Sequence, residues 1–219
     1  MARKSAVFFI ADDALGIHIG PGNDRHRLAA HLRQSPIWSD IIPGAGGLSV
    51  RYDPVNLAPA EAKAQLEEAI AAPGMTAQNV SKHWVIPVCY APEFALDMDA
   101  VCAATGLSEA AIIAHHTEPT FQVDMIGFTP GFAYLKSDGF TLDLPRLPAP
   151  RQHVPAGAVG LARGQCGLYA LDGPGGWPII GRTDFALFAP DETDPFRLNP
   201  GDSVKFEPTP ADAFPVSRS

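Results

Sequence analysis

Hydrophobic residues in the first 80 positions recur with two different spacings. Short apolar, β-branched runs separated by Asp- or Gly-containing turns predict two hairpins. Leu28 and Leu32, and then Ala62, Leu66 and Ile70, recur every four residues, which is the spacing of a helix that buries one face. The order of hairpin, helix, hairpin and helix predicts a small α+β domain over residues 1–80. The predicted hairpins span residues 5–19 and 37–52.

The pattern changes in the second part of the chain, which we predict to be a separate domain over residues 81–219. An apolar strand at 83–90 is followed by two short helices on either side of Gly106, with Asp97 and Ser108 as expected N-caps. From residue 121 onwards, short strands alternate with Gly and Pro turns at intervals of roughly 8–12 residues. This spacing predicts a mainly-β barrel or sandwich.

Composition narrows the range of partners. The chain has 219 residues, of which 46% are hydrophobic and 18% are charged, and its formal net charge is −8. An acidic chain without clustered Lys and Arg argues against a nucleic-acid or anionic-membrane partner. No apolar run is long enough for a membrane span and no signal peptide is recognisable, so we expect a cytoplasmic protein. The three cysteines show no C-x-x-C pairing, which favours reduced thiols over a metal site.

Residues 127–183 carry a high density of Gly, Pro and aromatic residues with a few isolated polar ones. Repeated Gly permits positive φ and close backbone approach, while repeated Pro fixes φ, so short strands joined by rigid turns are expected and a helix is excluded. The most distinctive blocks are GFTPGF (127–132), PRLPAPR (145–151), VPAGAVGLARGQCGLY (154–169) and GPGGWPIIGRT (173–183).

Motifs of self-sufficient enzymes are missing from the sequence. It contains neither a G-x-x-x-x-G-K-[ST] phosphate loop nor a G-x-S-x-G nucleophile elbow. We therefore expect no cofactor and no metal in this chain, and we expect the chain to be inactive alone. One subunit of a larger enzyme is the natural interpretation.

The blocks in 127–183, together with the early Tyr52-Asp53-Pro54 and the late NPGDSVKF (199–206), resemble one protein family over nearly the whole chain. That family, of carboxyltransferase subdomain C and D type, contains the B subunit of prokaryotic 5-oxoprolinase. It also includes proteins labelled allophanate hydrolase subunit 1 and the sporulation kinase inhibitor that binds a sensor histidine kinase. The resemblance implies a small α+β domain joined to a cyclophilin-like β-barrel.

The resemblance also implies a function. It predicts a non-ATP-binding subunit of a multi-subunit ATP-dependent amidohydrolase that opens 5-oxoproline to glutamate. The implied partners are the C subunit of that enzyme, its ATP-using A subunit, and a small carboxylate or amide substrate. One alternative is a component of a urea- or allophanate-degrading enzyme. Another, of a different class, is a regulatory protein that inhibits a sensor histidine kinase.

Three polar residues are predicted to be catalytic and to converge on one groove of the barrel: His116, Gln165 and Arg182. His116 matches a His that relatives carry shortly before a Pro, although a protonated His that stabilises a helix C-terminus explains it equally well. Gln165 and Arg182 are embedded in apolar, Gly-rich strands. A buried Arg needs an anionic partner, either a protein carboxylate or a substrate.

A second set of residues is predicted to bind substrate or a partner: Phe128, Pro130, Phe132, Arg151, Trp177 and Thr183. The Gly-Phe-x-Pro-Gly-Phe turn would hold two rings in fixed directions at low entropic cost, as a ligand platform or interface anchor requires. Each aromatic side chain taken singly is also explained by packing in the barrel core.

One departure from the family pattern falls in the second predicted hairpin. Relatives carry an Arg and a Ser or Thr where this chain has Ala45, Gly46 and Gly47. The substitution leaves either a merely structural hairpin or a different partner surface.

Overall fold

The structure is a computed structural model that describes residues 7–19, 23–44, 46–71, 81–193 and 195–213. The chain divides into two compact units, Met1–Val80 and Ser81–Ser219. Each unit has its own hydrophobic core.

The first unit is a four-stranded antiparallel sheet with two helices packed on one face. The strands lie in the order β1-β2-β4-β3, and alternate residues such as Leu15, Ile17 and Val50 point to the helix side. Leu28 and Leu66 meet them from the helices, which confirms the four-residue spacing of the sequence. The elements are β1 (Val7–Ala11), β2 (Ala14–His18), α1 (Asn23–Leu32), β3 (Trp38–Gly44), β4 (Gly47–Tyr52) and α2 (Pro59–Ala71).

The hairpin between β3 and β4 holds the residues that depart from the family pattern. Ala45 lies outside the described residues. A Cβ at Gly47 would lie 1.8 Å from the carbonyl oxygen of Ile17 on β2, so the close approach of two strands requires glycine there.

The second unit is built on a seven-stranded sheet in the order β12-β9-β10-β7-β6-β13-β5. Two hydrogen bonds between the backbones of Cys89, just after β5, and Arg182 of β12 join the two ends of the sheet at 2.8 and 2.9 Å. This bridge closes the barrel and confirms the predicted mainly-β second domain. The elements are β5 (His83–Val88), α3 (Met98–Thr105), α4 (Glu109–Thr117), β6 (Thr120–Ile126), β7 (Ala133–Lys136), β8 (Arg151–Val154), β9 (Ala158–Ala162), β10 (Gln165–Leu168), β11 (Gly173–Gly175), β12 (Ile179–Arg182), β13 (Ser203–Pro208) and a 3-10 turn (Ala211–Ala213).

The inside of this barrel is filled by apolar side chains from all seven strands, and α3 and α4 add Val101 and Ile112. On β10, Cys166 and Leu168 point into this interior, whereas the intervening Gly167 faces the other side of the sheet. A smaller cluster of Phe132, Val154, Ala158, Tyr169 and Ile179, with Tyr134 packed against it, forms there beneath the two-stranded sheet of β8 and β11. We call it the outer aromatic cluster.

The two predicted helix N-caps have different outcomes. Ser108 Oγ accepts a hydrogen bond from the Ala111 N–H at 3.3 Å, as a cap should. The prediction for Asp97 was wrong in its chemistry: Asp97 precedes α3, but its carboxylate caps no helix N–H. It is used elsewhere, in a contact between distant elements of the barrel.

Within the described residues, every helix is too short or too polar to cross a bilayer.

Candidate functional site

His116, predicted to be catalytic, lies fully buried at the end of α4. Its Nδ1 shares a hydrogen bond of 2.6 Å with Tyr90 Oη, and its Nε2 lies 3.3 Å from Cys166 Sγ. The ring stacks on Phe206 with centroids 4.2 Å apart. Burial lowers the pKa of His116 to about 3, so the imidazole is neutral near pH 7. The alternative that a protonated His116 stabilises the C-terminus of α4 is therefore not supported.

The predicted convergence of His116, Gln165 and Arg182 is wrong. His116 contacts Cys166 inside the barrel, and the neighbouring Gln165 directs its side chain to the opposite face of β10. Arg182 pairs with Ala158 and Gln165 with Ala162. Those positions lie four residues apart along β9, which is about 13 Å. The three side chains share no groove.

Arg182 and Thr183 instead hold the barrel closed. The backbone of Arg182 forms the bridge to Cys89, and its Nε donates to the Ala156 carbonyl at 2.9 Å. The N–H of Thr183 donates to the Gly157 carbonyl at 2.8 Å, and its hydroxyl accepts from the Phe185 N–H at 3.0 Å. Binding roles for Arg182 and Thr183 stay predictions.

The turn at 127–132 separates the two phenylalanines that the sequence paired. Phe132 is 1% exposed and belongs to the outer aromatic cluster, whereas Phe128 is 63% exposed. Phe128 adopts a φ of +74°, a strained value for a bulky side chain. Its ring meets Phe132 edge to face at 5.7 Å. Phe128, with the exposed Pro130 beside it, remains as the candidate contact residue.

Trp177 lies over a pair of glycines. Gly160 and Gly167 are opposite each other on β9 and β10. A Cβ on Gly160 would lie 2.9 Å from the Trp177 side chain, and one on Gly167 would lie 2.7 Å from Phe132 and 2.9 Å from Trp177. These glycines therefore make room for the protein's own rings rather than for a ligand.

Arg151 is engaged by Asp97, the residue expected to cap α3. The two guanidinium Nη atoms donate to the two carboxylate oxygens at 2.7 and 2.8 Å. Asp97 also accepts from the Ile179 N–H at 2.6 Å. This fork joins α3, β8 and β12, so the contacts of Arg151 are structural, and its predicted binding role stays a prediction.

Sequence reasoning missed a group of polar residues beside the outer aromatic cluster. Tyr134 and Tyr169 both pack on Phe132, with centroids 4.7 and 4.9 Å from its ring. Burial raises the pKa of both phenols, and the positive charge of Arg146 acts in the opposite direction on each. In the sequence Arg146 is only one residue of a Pro-rich turn, and nothing near it indicates two distant tyrosines.

Arg146 also lines a cavity of about 150 Å³. Its walls come from α3, from the Pro-rich segment and from the residue before β12, and they are almost wholly apolar: Asp97, Ala100, Val101, Ala104, Leu144, Pro145, Leu147, Pro148 and Pro178. A larger cavity, about 530 Å³, lies in the first unit between the end of α1 and α2. None of the distinctive sequence blocks reaches that cavity.

The family assignment follows from a direct match. The model of the "Carboxyltransferase domain, subdomain C and D" family covers residues 9–198. The chain belongs to this carboxyltransferase subdomain C and D family. The match runs through both units and includes Arg146, Phe128 and the predicted site residues.

Curated relatives in the family have one name in common. The chain is 36% identical over 193 residues to the 5-oxoprolinase B subunit of Bacillus subtilis, covering 83% of this chain and 80% of that protein. It is 39% identical over 187 residues to the 5-oxoprolinase B subunit of Escherichia coli O157:H7, covering 83% of each.

Solved structures show the same fold in different settings. The chain superposes on PH0987 of Pyrococcus horikoshii with 34% identity and a TM-score of 0.57, covering 94% of this chain and 99% of that one. It superposes on TTHA0988 with 33% identity and a TM-score of 0.74, over 90% of this chain but 40% of that chain. The urea amidolyase of K. lactis gives a TM-score of 0.74 at 16% identity, over 95% of this chain and 15% of that enzyme, a likeness of fold alone.

Proposed function

We propose that this chain is the non-ATP-binding subunit of a multi-subunit, ATP-dependent amidohydrolase that opens 5-oxoproline to glutamate. The observation that carries the proposal is its 36% and 39% identity to two 5-oxoprolinase B subunits over four fifths or more of both chains. The absence of a phosphate-loop motif in the sequence supports an ATP site on a partner protein.

Lactam opening explains why a partner is needed. The amide of 5-oxoproline is unactivated, so ATP on a partner protein would supply a phosphoryl group that turns the lactam oxygen into a leaving group. This chain's residues would bind and orient the substrate. The described barrel has rigid turns, an exposed ring at Phe128 and an exposed cation at Arg146 for that task.

The proposed partners are the C subunit of this enzyme type and its ATP-using A subunit. Because the chain spans only 40% of TTHA0988, a homologue carries a large additional segment in the same polypeptide. This supports a unit that works beside another protein surface. The strained and exposed Phe128 is the best candidate for a contact with that surface, because interface anchors are typically aromatic and held rigidly.

A component of a urea- or allophanate-degrading enzyme is the second candidate. The fold shared with K. lactis urea amidolyase supports it, but the identity there is 16%, against 36% and 39% to the two 5-oxoprolinase proteins.

Reconstitution tests the proposal. The purified chain alone should give background ATP hydrolysis with 5-oxoproline, urea or allophanate. Adding the A and C subunits encoded in the same genome should produce ADP release that depends on 5-oxoproline. Dependence on urea or allophanate would select the second candidate, and robust turnover by the chain alone would refute its assignment as one subunit of a larger enzyme. Inhibition of a sensor histidine kinase without any metabolite would point to a regulatory protein instead.

A further inference from the structure

The geometry points to a binding site for a small cyclic carboxylate, in which Arg146 binds the carboxylate and the adjoining apolar cavity takes the CH₂ edge of the ring. The inference deepens the proposed function and rests on it for one point, the identity of the ligand as 5-oxoproline. The existence of the site is argued independently, from the contacts and the cavity around Arg146 in the second unit.

Arg146 is held in place by a rigid segment. Pro145 and Pro148 flank it at short range and fix the backbone. The Leu147 N–H donates to the Gly176 carbonyl at 2.7 Å, and the Arg163 N–H donates to the Leu144 carbonyl at 2.8 Å. These two bonds fasten the segment to the residues before β12 and to the β9–β10 turn. The backbone that carries Arg146 therefore has a defined position, and the side chain extends from it into solvent.

Arg146 forms no ion pair with any residue that the structure describes. Among the described residues, no carboxylate lies within 4 Å of its guanidinium, whereas Arg151 is paired with Asp97 and Arg197 with Glu192. An exposed Arg without a partner is common on surfaces, so this alone does not make a site. Two features of its surroundings add to it.

The first of these is a pair of hydrogen-bond donors. The positive charge of Arg146 acts on the hydroxyls of Tyr134 and Tyr169, while burial raises the pKa of both and keeps them protonated near pH 7. The Tyr169 hydroxyl is pressed against Gly175, where a Cβ would lie 2.4 Å away. A guanidinium near two phenols is rich in donors, and such a setting favours an anion.

The cavity beside Arg146 limits the size and polarity of the ligand. Its volume of about 150 Å³ is below the ~300–1,000 Å³ of drug-sized sites, and holds about five groups of the size of a water molecule at ~30 Å³ each. The walls are Ala, Val, Leu and Pro side chains. The one carboxylate in the lining, Asp97, is occupied by Arg151 and the Ile179 N–H. A five-membered ring with one carboxylate meets both limits, and a nucleotide does not.

Titration of the isotope-labelled full chain with small ligands tests the site by NMR. L-5-oxoproline and cyclopentanecarboxylate should shift the amide signals of Arg146, Leu147 and α3. 2-Pyrrolidinone keeps the lactam ring but lacks the carboxylate, and it should bind at least about tenfold more weakly. Arg146→Met should weaken both carboxylates about 10- to 100-fold, the range for a charge-assisted hydrogen bond. Arg146→Lys should bind both carboxylates with an affinity between those of wild type and Arg146→Met, because lysine keeps the charge but lacks the guanidinium fork.

Arg163→Met is the matched control, since Arg163 is an exposed Arg in the β9–β10 turn, and it should bind like wild type. The inference is overturned if Arg146→Met binds like wild type, if 2-pyrrolidinone binds as well as the carboxylates, or if neither carboxylate shifts any signal at its solubility limit. Binding of cyclopentanecarboxylate through Arg146, without 5-oxoproline turnover by the reconstituted enzyme, would leave the site standing and refute the proposed function. Conversely, 5-oxoproline turnover by the reconstituted Arg146→Met enzyme with an unchanged KM would refute the Arg146 site and leave the proposed function standing.

Discussion

His116 makes a quantitative prediction about acid stability. In the folded protein its pKa is about 3, while an unfolded His titrates near ~6.5. Between these values the unfolded chain binds a proton that the folded chain does not. The contribution of His116 to stability is therefore fully present above pH ~6.5 and is lost as the pH falls toward ~3.

The magnitude follows from the two pKa values. Proton binding to the unfolded state lowers the free energy of unfolding by about 1.4 kcal/mol at pH 5.5 and by about 2.7 kcal/mol at pH 4.5. Both figures are large against the ~5–15 kcal/mol of a typical domain. The cause is a buried ring enclosed by Tyr90, Cys166 and Phe206, because burial there removes the water that would hydrate the protonated form.

Urea unfolding of wild type and His116→Gln between pH 7 and pH 4.5 measures this effect. The other ionisable groups are the same in both proteins, so the difference between the two pH profiles isolates His116. We expect the profile of the variant to be flatter by about 2–3 kcal/mol over that range. Parallel profiles would refute the reasoning. If the variant does not fold, the imidazole Hε1 resonance of His116 in the wild type decides, because it should keep its neutral chemical shift down to about pH 4.

Two further predictions concern the barrel surface and its internal fork. Asp97→Ala removes both bonds to Arg151 and the acceptor for the Ile179 N–H, so urea unfolding should show a free energy of unfolding lower by about 3 kcal/mol. Asp97→Asn keeps one acceptor and should lose about half as much. Equal losses in the two variants would contradict the structural role of Asp97. Phe128→Gly and Arg163→Gly each remove a side chain from a residue with positive φ. The free energy of unfolding of each variant should therefore equal that of wild type or exceed it by up to about 1 kcal/mol. Only Phe128→Gly should weaken co-purification with the C subunit, and equal pull-down by both variants would remove Phe128 from the interface.

The elements of the fold were predictable because each one is encoded locally. The four-residue spacing of Leu28 and Leu32 is visible without any tertiary information, and local patterns of this kind predicted two hairpins, four helices and a barrel region. Asp97 shows the limit of that logic. A residue type that suits an N-cap stands directly before a helix, yet a bidentate Arg 54 positions later in the chain forms a stronger, charge-assisted contact.

The site was less predictable because the sequence does not reveal which face of a strand a residue takes. A Gly-, Pro- and aromatic-rich stretch describes a ligand platform and a tightly packed outer layer equally well. Gly160 and Gly167 belong to the second description, since Trp177 and Phe132 fill the space above them. Arg146 was missed for a different reason: a Pro-rich loop brings it toward tyrosines that lie far from it in the sequence, and no local pattern shows this.

The ionisable groups of the barrel also bear on where proton transfer takes place in the proposed reaction. A general acid or base works best with a pKa near the operating pH. Burial moves the pKa of five described groups away from neutrality: it lowers the pKa of His116 to about 3 and raises the pKa of Cys166, Tyr90, Tyr134 and Tyr169. Those groups hold their protonation states near pH 7. For the proposed enzyme, this argues against His116 as the group that moves a proton during lactam opening, because a base with a pKa of about 3 holds a proton only weakly near pH 7.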